Sequence, residues 1–320
     1  MKKIIFYVDS FGLGHITREI ALARAMPKSI EIIFITRDHV DFIKKSLPGV
    51  RVEKNDIGLN LIPKGIGLDI EKTQLANVNF SEIFNANVRT EGLRIKKEKP
   101  DLIIADIPAE PFLAATENSI PIVAVSNFGW TIIIEHVFGK NSDEYKTYAE
   151  AYSNSNKTFV LPFSEPMSPF TNKKEVGLLR RRITKKLGKI NGVINTFGKS
   201  GNLTSDLNGF RTIPAKAVES QNYVAVANAI FTKPSYGIVS EAISAGVPLF
   251  LKKRNNFPES DYIFKKLEGV KVVPEDVTPR EWITEEMKNI NWKTIEKMRI
   301  KYKNNSDSEI ADEVISMFLH

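Results

Sequence analysis

Two strand–turn–helix junctions hold the residues best suited to chemistry. In the first, the apolar run KIIFYV ends at Asp9-Ser10, and glycines follow at Gly12 and Gly14. His15 and Arg18 then open the helical pattern HITREIALARAM. A dinucleotide-binding turn would carry a third glycine where this one has a histidine. Histidine exchanges a proton near neutral pH, and the first turn of a helix favours its neutral, proton-accepting form. It can instead cap the helix or hold a phosphate. In the second junction AIFTK ends at Lys233, Pro234 breaks the strand, and Ser235, Tyr236 and Gly237 form the turn. The helix IVSEAISA then runs to a stop at Gly246. Free amides and partial positive charge at such a helix start suit a diphosphate. Gly237 permits close approach, Ser235 offers a hydroxyl, and Glu241 stands where a carboxylate can take both hydroxyls of a ribose. An ordinary turn with a surface glutamate fits the same spacing. Asp106 ends the strand DLIIAD just before Pro108, at the strand end where functional carboxylates gather. It is a candidate base, a candidate partner for His15, or a polar turn residue.

These positions need elements to hold them. Buried-strand runs (KIIFYV, IEIIFIT, DLIIAD, IPIVAVS) alternate with helical segments in the first half. That alternation predicts a parallel sheet covered on both faces. Asp38 is placed to cap the helix VDFIKKSL. Between Ala149 and Leu187 the pattern loosens into prolines, polar clusters and a basic run, as expected of a linker. Alternation resumes through GVINTFG, FRTIPA, YVAVANAIFTK and VPLFLKK, and DSEIADEVISMFLH closes the sequence as an amphipathic helix starting at Ser306 or Asp307. Two α/β halves on one linker place a ligand in the crevice between them.

Composition narrows the chemistry. The 320 residues are 42% hydrophobic and 26% charged, with no cysteine and four histidines. Disulfides and thiolate metal sites are excluded, and no histidine spacing suits zinc. No apolar run approaches bilayer length and the N-terminus does not read as a signal peptide, so the protein is expected in the cytoplasm. Net charge is +7. Without a zinc finger or an aromatic-interleaved basic stripe, nucleic acid is not the expected partner. The charge suits a solvated surface, an anionic ligand, or the inner face of a membrane.

The second junction resembles the donor motif of GT-B glycosyltransferases, the superfamily that includes MurG. The chain is more closely similar to the glycosyltransferase-like module of plant L-arabinokinases and its free-standing microbial relatives. Their G-H-G-x-G-H-x-T-R turn is matched by SFGLGHITR, and their N-F-[ST]-W by NFGW, Asn127 to Trp130. LPFSEPMSPF and VGLLRRR match their middle segment, TKPSYGIVSEA their G-K-x-G-Y-G-T-x-S-E-A, and KKRNNFPESDY their R-R-D-x-F-x-E-E. The likeness runs in order over about residues 1 to 285. The kinase half of the plant proteins has no counterpart here.

The resemblance implies a GT-B fold, two Rossmann-like parallel-sheet domains facing an interdomain cleft. Residues 1–165 would form the acceptor-side domain, 166–305 the nucleotide-sugar domain, and 306–320 a helix crossing back. It implies sugar transfer from a nucleoside diphosphate, UDP foremost, to an acceptor hydroxyl, by inversion and without a metal or other cofactor. His15 would be the base for the attacking hydroxyl, with Asp106 as base or as its orienter. Lys233, Ser235, Tyr236, Gly237, Glu241 and Glu259 would bind donor. Gly12, Gly14, Arg18, Asn127 and Arg181 would serve the acceptor or phosphate side. A lipid-linked acceptor at a membrane surface fits the basic charge. A nucleotide-sugar 2-epimerase or a non-catalytic nucleotide-sugar binder shares the architecture. The first family histidine is Phe11 here, and Pro234-Ser235 replace a glycine. These departures bear on acceptor choice and on the nucleotide.

Overall fold

The computed structural model describes residues 1–196, 211–212 and 218–319. The first domain runs β1 (Lys3–Val8), α1 (Leu13–Ala25), β2 (Glu31–Thr36), α2 (Val40–Ser46), β3 (Arg51–Lys54), and a hairpin of β4 (Pro63–Lys64) and β5 (Gly67–Leu68). It continues through α3 (Ile70–Leu75), α4 (Phe80–Glu98), β6 (Leu102–Asp106), α5 (Glu110–Glu117), β7 (Ile122–Ser126), α6 (Thr131–Phe138), α7 (Asp143–Ser153), β8 (Lys157–Val160) and β9 (Lys173–Glu175). The second domain comprises β10 (Ile190–Asn195), β11 (Arg211–Thr212), α8 (Gln221–Val224), β12 (Ala227–Thr232), α9 (Tyr236–Ala245), β13 (Leu249–Leu251), α10 (Glu259–Lys266), β14 (Lys271–Val272), α11 (Pro279–Glu286) and α12 (Trp292–Lys301). The last helix is α13 (Asp307–Phe318).

Among the described residues the first sheet has seven strands in the order β3-β2-β1-β6-β7-β8-β9, and the second has five in the order β11-β10-β12-β13-β14. Every pairing in both is parallel. Helices cover both faces, so central strands read as unbroken apolar runs; β6 and β7 are buried at every residue. Strand order reverses between β1 and β6 in one sheet and between β10 and β12 in the other. At such switch points the loops leaving adjacent strands diverge and open a crevice at the carboxyl ends. His15 and Asp106 lie at the first switch point, and Lys233 to Gly237 lie at the second.

α1 packs against both α9 and α13. Ile16 and Ile20 share one buried cluster with Val239, Ala242 and Ile243 and with Ile310, Ala311 and Val314. The apolar core therefore continues across the domain boundary, and the last helix returns to the first domain. Lys157 and Lys174 tie Glu313 of α13 to that domain at 3.2 and 2.5 Å.

Three sequence expectations are corrected. Residues 149–187 are not simply a linker, because β8 and β9 extend the first sheet. A domain boundary at 165 consequently falls too early, before β9. Asp38 does not cap α2; the cap position is His39, at φ 64°. Gly246 does end α9, in the left-handed conformation at φ 69°. Most of FRTIPA and the end of GVINTFG lie outside the described residues. No helix among the described residues is long and apolar enough to cross a membrane.

Candidate active site

β1 and β6 are adjacent and in register, with Val8 opposite Asp106. The turn after β1 needs Gly12 itself, at φ 106°, to set the start of α1. The first turn of that helix then lowers His15 onto the end of β6. His15 Nδ1 stands 2.9 Å from Asp106 Oδ1. Arg18, 2% exposed, donates from Nε to Asp106 Oδ2 and from Nη2 to Asp106 Oδ1, both at 2.5 Å. Its Nη1 donates to Asn127 Oδ1 at 2.6 Å and its Nη2 to Ser126 Oγ at 2.9 Å. Both Nη2 protons are thereby engaged, so the close Nη2 to His15 Nδ1 approach carries no hydrogen bond from the arginine. The proton between His15 and the carboxylate belongs to Nδ1, and the Nε2 lone pair is left open. Burial by itself would raise the Asp106 carboxyl. Arg18 and His15 outweigh it and hold the group down at about 2. Phe128 and Trp130 pack on the imidazole, with centroids 5.6 and 6.0 Å away.

The second domain faces this dyad with positive charge. His15, Gly12, Gly14, Lys233, Ser235, Tyr236, Arg254, Phe257 and Glu259 line a cavity of 60 Å³ between the domains. Burial, and then Arg254, lowers Lys233 to about 8, against the pull of Glu259. Burial lowers Arg254 to about 10, again opposed by Glu259. Glu259 lies 3.7 Å from Arg254 and accepts from Asn127 Nδ2 at 3.1 Å. One carboxylate thus stands against two cations, buried Arg254 and half-buried Lys233, at the start of a helix. Ser235 is the α9 N-cap, yet its hydroxyl makes no capping bond.

The sequence candidates divide. His15 and Asp106 come together with Arg18 and Asn127. Arg18 spends four of its five N–H donors on Asp106, Asn127 and Ser126, so the anion it holds in this structure is Asp106. Asn127 is fully buried and bridges Arg18 to Glu259. Lys233, Ser235 and Glu259 reach the cavity. Tyr236 contributes backbone there; its hydroxyl accepts from Leu179 N at 2.9 Å, and its ring lies 5.2 Å from the Arg18 guanidinium. Gly237 serves packing: a Cβ there would stand 2.9 Å from Thr17 Oγ1. Its neighbour across the interface, Gly14, lets the two helix starts meet. Arg181 and Glu241 lie elsewhere. Arg181 Nε donates to Glu241 Oε1 at 2.9 Å in a buried pair, and burial pushes the Glu241 carboxyl up against that pull.

Arg254 was not among the sequence candidates, because nothing in Lys252-Lys253-Arg254 says which cation turns inward. The β4–β5 hairpin was missed as well. It reaches over the cleft: Arg254 Nε donates to Ile66 O at 2.8 Å, and Leu68 N to Asn255 O at 3.2 Å. Among the described residues no group of three or more His, Asp or Glu is placed to hold a metal ion.

Two Rossmann-like domains, a cleft between their switch points and a last helix crossing back define the GT-B fold. No family model matches the chain. It is 27% identical over 325 aligned residues to the L-arabinokinase of Arabidopsis thaliana, an alignment covering 87% of this chain and 31% of that protein. The chain thus spans about a third of the length of that relative. A UDP-glucosyltransferase from Polygonum tinctorium, solved with 3,4-dichloroaniline, superposes with a TM-score of 0.68 at 11% identity, covering 100% of this chain and 99% of the other. S. aureus MnaA in complex with UDP gives a TM-score of 0.63 at 14% identity, over 100% and 97%. At these identities the structural likeness speaks for the fold.

Proposed function

We propose that this chain is an inverting glycosyltransferase that moves a sugar from a nucleoside-diphosphate sugar to an acceptor hydroxyl. One observation carries the reading: the His15–Asp106 dyad and two cations, half-buried Lys233 and buried Arg254, oppose each other across one interdomain cavity. Asp106, ionised beside Arg18, keeps the histidine proton on Nδ1 and steadies the imidazolium that forms. As the acceptor hydroxyl gives its proton to Nε2, its oxygen attacks the anomeric carbon. The carbon–oxygen bond to the diphosphate breaks, and its electron pair leaves with the nucleoside diphosphate. Lys233 and Arg254 offset the charge that develops. A base on one wall and a leaving-group cradle on the other require attack opposite the departing bond, hence inversion. Asp106 is an orienting group in this scheme, and His15 is the base.

Glu259, fixed by Asn127, serves the sugar hydroxyls. Glu241, with Oε1 held by Arg181, offers its second oxygen to the ribose. UDP in MnaA and glucosyl transfer in the Polygonum protein's name support a UDP-linked hexose as donor; an N-acetylhexosamine is the other sugar we propose. The test is UDP release from UDP-glucose and UDP-N-acetylglucosamine with an acceptor panel. His15→Ala should lower kcat by roughly 10²-fold or more while UDP still binds. Near-normal turnover in His15→Ala, or conversion of donor alone to its epimer, would overturn the reading.

A further inference from the structure

A second cavity, of 160 Å³, lies in the first domain beyond Phe11. We infer that it seats the acceptor, and that the acceptor is a neutral polyhydroxylated molecule of about one sugar ring, held by Asp9, Asn55 and Trp130. The inference rests on the glycosyl-transfer reading above and names the substrate class for it.

Size comes first. Pockets for drug-sized ligands run to roughly 300–1,000 Å³. A cavity of about half the lower figure suits one ring better than a multi-ring aglycone.

The polar groups come next. Asp9 directly follows β1, and its carboxylate is fixed from two sides: Oδ1 accepts from Phe11 N at 2.7 Å, and Oδ2 accepts from Trp130 Nε1 at 3.0 Å. Each oxygen keeps a further lone pair for a hydroxyl donor. Asn55 follows β3 on the same rim, and both of its amide atoms are buried without a hydrogen-bond partner. Native proteins rarely leave both ends of an amide unmatched. A hydroxyl can both donate to Oδ1 and accept from Nδ2 at one site.

Charge sets the third limit. Asp9 and Asp38 both line the cavity. The cation beside them, Arg37, is engaged through Nη2 by the carbonyls of Asp56, Ile57 and Gly58. A phosphorylated or carboxylated acceptor would meet two carboxylates against one guanidinium whose Nη2 is already turned to backbone carbonyls, a net negative lining that favours a neutral ligand.

Phe11 links this cavity to the chemistry. It lines both cavities, stacks on Phe257 of the second domain at 5.8 Å and meets Trp130 edge-on at 6.1 Å. Trp130 lies between Phe11 and His15, whose ring is 6.0 Å from the indole. A hydroxyl projecting past Phe11 therefore reaches Nε2, where it gives up its proton as its oxygen joins the anomeric carbon.

The experiment separates acceptor binding from turnover. Saturation-transfer NMR would follow glucose, mannose, xylose and myo-inositol with the wild-type protein and with Asn55→Leu and Asp9→Asn, each with and without UDP. UDP release would be measured in parallel with these acceptors, with simple phenols, and with polyprenyl phosphate in vesicles. At least one neutral polyol should give transfer signal and UDP release, and Asn55→Leu should raise its KM tenfold or more while changing the donor KM less than twofold. Turnover confined to phenols or to polyprenyl phosphate overturns the acceptor assignment and leaves sugar transfer standing. Polyol binding that Asn55→Leu abolishes, in a protein that neither binds UDP nor releases it, supports the cavity and overturns the transferase. Polyol signals unchanged in both variants overturn the cavity.

Discussion

Lys233→Met should make the ligand-free protein more stable and its nucleotide site weaker. Lys233 sits at the mouth of α9 with Arg254 as its neighbour, and its pKa falls from 10.5 to about 8. Below pH 8 the lysine is charged both folded and unfolded, and the folded state carries the whole penalty of a buried ammonium. As pH rises from 8 to 10.5 the folded protein sheds this proton first, and the penalty fades. A shift of about 2.5 units corresponds to roughly 3 kcal/mol. Methionine has a similar length and no charge, so the variant should gain up to about 3 kcal/mol at pH 7 and nothing by about pH 10.5. Urea unfolding of both proteins at half-unit pH steps measures the difference directly, since other titrations cancel between them. On the proposed function, UDP would supply the missing negative charge. A lost charge-assisted hydrogen bond of about 1.5–3 kcal/mol should weaken UDP roughly 10- to 150-fold in the variant. Wild-type affinity should itself decline above pH 8. A variant no more stable than wild type at pH 7, with unchanged UDP affinity by calorimetry, would refute the idea that this lysine is held in reserve for an anion.

Other tests reach different parts of the site. Asp106 is held at about 2, below its ordinary 3.8, so its contribution to stability is complete above about pH 4 and fades as pH falls toward 2. Acid unfolding of Asp106→Asn should lack that limb, and its kcat should fall with that of His15→Ala. Arg181→Ala would leave Glu241 buried without its cation and should destabilise by roughly 3–5 kcal/mol in urea unfolding, while the double variant with Glu241→Leu should recover much of the loss. Gly67→Ala would set a Cβ 1.9 Å from the Asn255 carbonyl oxygen. Overpacking of roughly 1–3 kcal/mol should prise the hairpin from the second domain, visible as a larger radius of gyration in solution scattering and a lower kcat.

Much of the framework was legible because buried parallel strands write themselves as apolar runs. β1, β2, β6 and β7 were each readable from their own residues. Both glycine turns were visible for the same local reason, and so was the stop at Gly246. β8 escaped because KTFV is short and sits among prolines and polar residues. The hairpin escaped because two-residue strands leave no periodicity. Side-chain partnerships across long separations were the least readable. Arg18 and Asp106 are 88 residues apart, and no local pattern says that they meet. Arg181 and Glu241 are separated by 60, and neither segment by itself shows that the two pair. Gly237 shows a subtler failure. A glycine at a helix start permits close approach, but sequence cannot say whether a phosphate or another helix does the approaching.

The interdomain cavity, at 60 Å³, has room for only a few water molecules. A nucleotide sugar is many times larger, so if the proposed transfer holds, each turnover would have to begin and end with the lobes parted and the hairpin lifted from Asn255. Such a molecule would guard its substrate from hydrolysis by admitting it through a door that is shut while bonds are changing. Its pace would then be set by how often that door swings, and solvent viscosity would slow it more than any swap of leaving group.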